Sequence, residues 1–436
     1  MKPDAPKPAK RIAYIVSRFP VITETFILYE MLELERRGIR VEVFSLLRQR
    51  EEVMHREARD LVRRAHYGQL RSIPLLIANL RWLLRRPSAY LRAWFQAIKG
   101  NWGSWGFLAR AVFVVMQSAW FAEVMEKSNV DHIHAHWATH PTLAAYVIRR
   151  LTGLRYSFTT HAHDIYIERP MLAEKIREAS FVVTISEFNR QLLRRLYGKL
   201  ASDKTVIVRC GVDPTVFLPP QRALRSGAEI LTIVCVASLQ DYKGHRYLIE
   251  ACGQLRERGV PFRCLLVGEG RNRPAIEAQI ARLKLCDQVT LLGRQSRDRV
   301  SQVLANSDAL AMPSVVTGNG MMDGIPIALI EALATELPVV ATAISGIPEL
   351  VEDGRTGLLV RQRDAGALAE ALIRLYENPN LGRRLARAGR ERVLRDFNLK
   401  RNVSRLCQLF AQDWSDKELK APQLENLLEP PRAESV

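Results

Sequence analysis

The sequence predicts an α/β protein made of two parallel-sheet domains facing each other across a cleft. Apolar runs of strand length alternate with longer helix-like segments along most of the chain, the pattern of strands joined by crossover helices. At 436 residues the chain is too long for one typical core. Near its midpoint the alternation is broken by Gly211, Pro214, Pro219 and Pro220, as an interdomain hinge would break it.

Taken in order, IAYIVSRF, VEVFSL, DHIHAH, YSFTT and FVVTIS read as strands of the first half. LTIVCVASL, FRCLLVGEG, QVTLLG, ALAMPS, PVVATA and GLLV read as strands of the second. Each set suits a Rossmann-like sheet, whose ligands lie at the carboxyl ends of the strands. The expected layout is a disordered tail over 1–10, a first domain over 11–207 with a basic helical insert at 56–127, and a hinge over 208–222. A second domain over 223–396, a helix over 397–414 and a flexible tail over 415–436 complete it.

Composition narrows the function classes. Hydrophobic residues make up 47% and charged residues 25%, the balance of a soluble globular protein. The formal charge of +18 favours acidic partners such as phosphorylated substrates or anionic lipid. No nucleic-acid recognition motif accompanies the charge, so nucleic acid is not an expected partner. The six cysteines show no CxxC pair, and Cys235 and Cys264 lie inside apolar strand-like runs, as reduced core thiols of a cytosolic protein do. MKPDAPKPAKR lacks the apolar region of a secretory signal, and no apolar run is long enough for an expected membrane span.

The most informative segment is MMDGIPIALIEALATELPVVATAISGIPELVEDGRTGLLV, residues 321–360. It sets Asp323 and Glu331, with seven residues between them, around the start of a predicted helix. Gly324 permits close backbone approach to a ligand, and Pro326 suits a first helical turn. The free amides at that helix start, near Ile325, would face an anion such as a pyrophosphate. Glu331, two turns in, is placed to accept hydrogen bonds from ribose hydroxyls. Upstream, VASLQDYKGHRYLIEA puts Lys243 in a strand-to-helix turn, where an ammonium can reach phosphate. LLVGEG places Gly268, Glu269 and Gly270 after a strand without the full dinucleotide fingerprint, which argues against NAD.

The 321–360 segment resembles the donor-binding core of family-4 glycosyltransferases, retaining enzymes of GT-B fold. Their paired-acid motif reads E-G-x-P-x-x-x-x-E, and Asp323 stands at the first acid. The resemblance implies a nucleotide-sugar donor held by Ser238, Lys243, Gly268, Glu269, Gly324, Ile325 and Glu331, with LLGRQ near the base. It also implies catalytic roles for Lys243, Asp323 and His161, the last at the family's T-x-H position beside the donor sugar. Ser238 departs from the pattern, standing where the family carries an arginine; Arg271, Arg273 or Arg294 are candidates to replace that charge. The P-x-x-x-E-T-F stretch, HIHAHWA, HAHDIY and VRCGVDP resemble the branch active in bacterial exopolysaccharide assembly, including enzymes of the colanic-acid type.

On the acceptor side, Thr23, Glu24 and Thr25 are placed to cap the first helix and face the cleft, with Asp164 in the neighbourhood of His161. Six of the nine histidines fall between residues 132 and 163. No spacing of metalloenzyme type accompanies them, so no metal is expected; His134 and His136 alternate along a strand and should point the same way. In the insert, arginines interleave with Trp82, Trp94, Trp102, Trp105 and Trp120, as an interfacial membrane face would.

The expected activity is therefore retaining transfer from a nucleoside-diphosphate-sugar to a glycan or polyprenyl-diphosphate-linked acceptor at the inner face of the plasma membrane, with no metal or other cofactor. Catalysis would rest on positioning and electrostatics. The alternatives are a nucleotide-sugar 2-epimerase and a non-catalytic sugar-binding subunit of a membrane complex.

Overall fold

The computed structural model describes residues 10–49, 54–69, 72–219 and 230–425. Two sheets divide them, every pairing parallel. Strands β1 (Arg11–Phe19), β2 (Arg40–Arg48), β3 (His66–Tyr67), β4 (His132–His136), β5 (Tyr156–Thr160), β6 (Val182–Thr184) and β7 (Thr205–Ile207) form the first. Their spatial order is β3-β2-β1-β4-β5-β6-β7. Strands β8 (Leu231–Val236), β9 (Phe262–Val267), β10 (Val289–Gly293), β11 (Ala309–Met312), β12 (Val339–Thr342) and β13 (Leu358–Val360) form the second, ordered β10-β9-β8-β11-β12-β13.

The central strands are buried along their length, β4 and β5 at every position, because crossover helices cover both faces of a parallel sheet. The apolar runs of β8 and β12 are legible for that reason. The two strands missing from the sequence reading, β3 and β7, are edge strands of two and three residues, too short to show a period.

The end of the chain returns to the first domain. A helix Pro379–Asp396 packs on the second domain, Val212 then pairs with Asn398, and a helix Leu399–Glu425 follows. Its Leu399, Val403, Leu406 and Phe410 join a core with Tyr14, Leu34 and Val43. A Cβ on Gly211 would lie 2.6 Å from the Leu399 backbone, so glycine is required where the strands of chain cross. The helix continues past the expected boundary at 414, because Lys417 to Ala421 are strong helix formers. The rest of the expected tail, 426–436, lies outside the described residues, as do 1–9 and 220–229.

In the insert, helices span Ile73–Arg85, Pro87–Asn101 and Trp105–Lys127. The last is long and apolar enough to cross a membrane, yet half of its apolar window is buried in the protein. Ala111, Val115, Ala119 and Ala122 pack there against Ile15 and Phe44 of the sheet. The tryptophans do not form one exposed stripe. Trp82 is a core residue whose Nε1 donates to the Ala119 carbonyl at 3.0 Å, while Trp102 and Trp105 are exposed. All six cysteines are free thiols.

Candidate active site

Both sheets reverse strand order at one point, between β1 and β4 in the first and between β8 and β11 in the second. Open parallel sheets bind ligands at such points, outside the carboxyl ends of the strands. Lys243 lies in a short helical turn, Asp241–Lys243, after β8, and Asp323 ends the loop after β11. They come from opposite sides of the switch point and meet. Lys243 Nζ donates to Asp323 Oδ1 at 2.5 Å, and Ser314 Oγ donates to Asp323 Oδ2. Burial works against the ammonium, but the Asp323 charge and hydrogen bond, with Tyr242 and Cys235, together outweigh it and hold Lys243 above the ordinary lysine value. Gly244 makes the turn possible: its φ is +68°, and a Cβ would fall 1.9 Å from the Pro313 carbonyl oxygen.

Gly324 serves a close approach, to the other domain. A Cβ there would lie 2.9 Å from Ile185 Cδ1 and 3.0 Å from the His161 carbonyl oxygen. Ile325 is buried in the second core. Pro326 is the N-cap of a helix Ile327–Ala334, which begins two residues beyond Ile325. Glu331 is 8% exposed, and its carboxylate makes no hydrogen bond among the described residues. Burial pushes it up to about 7, opposed by the Arg297 guanidinium. A nearly buried acceptor without a protein donor is what a site for ligand hydroxyls requires.

The Gly268 loop has a different basis from the one expected. A Cβ at Gly268 would lie 2.1 Å from the Ala237 carbonyl, and one at Gly270 2.4 Å from that of Leu239. Both glycines are required by backbone packing against the segment after β8, whatever binds beside it. Glu269 turns to Arg273 at 2.5 Å, and Ser238 in that segment makes no side-chain hydrogen bond among the described residues. The cations expected to replace the missing arginine are engaged: Arg271 with Asp241, Arg273 with Glu269 and Glu277, and Arg294 with a partner of its own. Arg297 is the cation the sequence reading missed. It lies over the Tyr29 ring of the first domain at 3.8 Å and lowers Glu331 of its own domain.

His161 follows β5 and is 4% exposed, between the rings of Phe26, Trp137 and His136. Its carbonyl accepts from Asn189 Nδ2 at 2.8 Å. Burial, then the charges of His136 and His163, hold its imidazole well below the ordinary histidine value. The structure thus brings His161, Gly324, Asp323 and Lys243 to one place.

Two acceptor-side expectations need correction. Asp164 is fully buried, and its carboxylate accepts from the amides of Ala138 (2.8 Å), Ala162 (2.8 Å) and His161 (3.1 Å). It fastens the His161 loop and has no oxygen to spare for an acceptor. The first helix, Thr25–Arg36, carries no side-chain cap: Thr23 is exposed, Thr25 begins the helix, and Glu24 hydrogen-bonds Trp137 instead. Burial pushes the Glu24 carboxyl up to about 7. Glu24 therefore holds the indole that packs against His161.

Across the cleft, Glu349 accepts from the amides of Glu187 and Phe188, each at 2.9 Å, and from Arg209 at 3.1 Å. A carboxylate of the second domain thus caps a helix, Glu187–Tyr197, of the first. Ser345 bridges the carbonyls of Asp323 and Gly324, and the Tyr166 hydroxyl joins it from the first domain. The acidic residue of the GIPEL turn was visible in the sequence, but its partners lie 162 residues away.

The strand histidines do share one face. Glu30, His134 and His136 bring ligand atoms within 4.8 Å of one another, a spacing a metal could use. Every ring nitrogen of the two histidines already has a partner: Ser157 and Thr159 for His134, His161 and Glu30 for His136.

Residues 222–392 match the family described as glycosyl transferases group 1, and residues 103–216 match glycosyltransferase family 4. A colanic acid biosynthesis glycosyltransferase named WcaL from Escherichia coli is 31% identical over 417 residues, covering 91% of this chain and 99% of its own. The Salmonella typhimurium protein of that name is 30% identical over 425 residues, with the same coverage. Among solved structures, Anabaena HepE in complex with UDP-glucose superposes with a TM-score of 0.66 at 16% identity, covering 92% of this chain and 99% of its own. That likeness is one of fold.

Proposed function

Because the chain belongs to the family-4 glycosyltransferases of GT-B fold, in the branch of its colanic-acid relatives, we propose that it moves a sugar from a nucleoside diphosphate to a glycan or lipid-linked acceptor in exopolysaccharide assembly, with retention at the anomeric carbon. The observation that carries this reading is the meeting of Lys243 and Asp323 at the switch point of the second sheet, against the His161 carbonyl of the first. Lys243 and the amides at the start of the Ile327 helix neutralise the departing diphosphate. Glu331 accepts the ribose hydroxyls, and Asp323 and His161 flank the sugar. No metal is needed in this scheme. HepE, named in complex with UDP-glucose, supports a nucleotide-sugar donor.

The test is to incubate the purified protein with UDP- and GDP-sugars and a bacterial membrane extract. Acceptor-dependent release of nucleoside diphosphate is the expected result. An isomerised donor would mark a 2-epimerase, and neither outcome would leave a sugar-binding subunit.

The same reading places the protein peripherally on the cytoplasmic face of the membrane. Supporting it, Leu80, Leu84, Phe95, Trp102 and Trp105 are each more than half exposed on the insert helices. Arg86, Arg92 and Lys99 stand among them without ion pairs among the described residues. Exposed apolar area beside uncompensated cations is the composition of an interfacial surface.

A further inference from the structure

A line of buried polar groups runs through the first domain and stops at His161. The Tyr14 hydroxyl donates to Glu30 Oε1 at 2.7 Å. The same oxygen lies 3.0 Å from His136 Nε2, and His136 Nδ1 lies 3.0 Å from His161 Nε2. His161 Nδ1 makes no hydrogen bond among the described residues. It is the one polar atom of that ring left for a ligand.

The direction of this line follows from which groups can donate. The Glu30 carboxylate only accepts, so the hydrogen between it and His136 sits on His136 Nε2. The neutral form of His136 then has a bare Nδ1, and His161 must donate to it from Nε2. A neutral His161 that donates from Nε2 has a bare Nδ1. Its surroundings support the neutral form: the ring is buried, and the Asp164 carboxylate is spent on backbone amides. The ring has little room to turn, because Phe26 and Trp137 flank it with centroids 4.8 and 4.5 Å away.

We infer that Glu30 and His136 are positioning residues that lock His161 as the Nε2–H tautomer, so that His161 offers the cleft a hydrogen-bond acceptor matched to a sugar hydroxyl. His161 is then not a donor to the leaving group or to the anomeric oxygen. The ligand class rests on the transferase reading; the tautomer does not.

Full-length protein labelled with [15N]histidine tests this by long-range proton–nitrogen correlation at pH 7, with His161 assigned through His161→Asn. The expected spectrum shows His161 as the neutral Nε2–H tautomer. In Glu30→Gln, whose amide can donate as well as accept, about half of the His161 population should shift to Nδ1–H. Turnover of whichever panel donor is active should fall about tenfold in that variant, with KM held within about twofold. Tyr14→Phe, which leaves the Glu30–His136 contact in place, should keep the wild-type spectrum. An Nδ1–H or doubly protonated His161 in the wild-type protein overturns the inference, and needs no variant to fold. So does an unshifted spectrum, or unchanged turnover, in folded Glu30→Gln. Absence of transfer with every donor would overturn the proposed activity while the wild-type spectrum still judged the tautomer.

Discussion

Lys243 Nζ and Asp323 Oδ1 are 2.5 Å apart with both side chains largely buried, so the cation assigned to the diphosphate is paired with a carboxylate before any donor arrives. A diphosphate must compete with Asp323 for it or share it. Asp323→Asn releases the ammonium and removes a negative charge from the diphosphate site. We expect UDP or GDP to bind several-fold more tightly to this variant, by about 1 kcal/mol, while sugar transfer falls at least tenfold. Lys243→Ala should abolish both and lower stability by about 3 kcal/mol, since it strands a buried carboxylate. Calorimetry with each nucleotide, beside turnover, checks the pair; weaker nucleotide binding in Asp323→Asn would refute the competition.

Glu331 links stability to ligand binding. Burial raises its carboxyl from 4.5 to about 7 in the folded chain, so the folded state holds that proton more tightly than the unfolded state does. Its contribution to stability is complete below about pH 4.5 and is lost as pH rises through about 7. Glu331→Gln should therefore be more stable than the wild type at pH 8, by up to about 3 kcal/mol, and equal to it at pH 4. It should also lose affinity for the nucleotide. In the wild-type protein, nucleotide affinity should weaken as pH falls from 8 to 6, because the proton must leave before the ribose can donate. Urea denaturation of both proteins at several pH values isolates this group from Glu24, which titrates in the same range.

Glu349 clasps the domains by capping the Glu187 helix from across the cleft. Glu349→Ala removes charged hydrogen bonds worth about 1.5–3 kcal/mol each. Hydrogen exchange at the Glu187 and Phe188 amides should accelerate more than elsewhere in either sheet, and kcat/KM should drop about tenfold. Uniform exchange across the molecule would make Glu349 a surface residue without a role in closure.

The insert surface predicts lipid dependence. The protein should float with vesicles containing anionic phosphatidylglycerol and remain behind with neutral ones at moderate salt. Phe95→Glu and Trp102→Glu should each lower binding at least tenfold, given about 1.5–3 kcal/mol for burying one such side chain. Equal flotation by the variants would place the contact elsewhere.

Much of this molecule could be read without coordinates. Buried parallel strands such as LTIVCV and PVVATA are largely apolar on both faces, so they stand out as runs, and their order along the chain implies crossovers. Lys243, Asp323, Gly324 and Glu331 stood out as candidates because turn and helix-start chemistry depends on residues close in sequence. The three amide partners of Asp164 were not legible, because a carboxylate looks the same in sequence whether it faces a cleft or three amides.

The amino-acid order alone settled the α/β alternation and singled out the local motif around Asp323 and Glu331, since each arises from contacts within a few tens of residues. Tertiary structure decided what those residues do to one another. It set Lys243 against Asp323, left Glu331 without a donor, put Glu349 on the opposite domain and ran Glu30 through His136 to His161. Those pairings join residues 25 to 162 positions apart, and charge and proton direction depend on distances that only the folded chain defines.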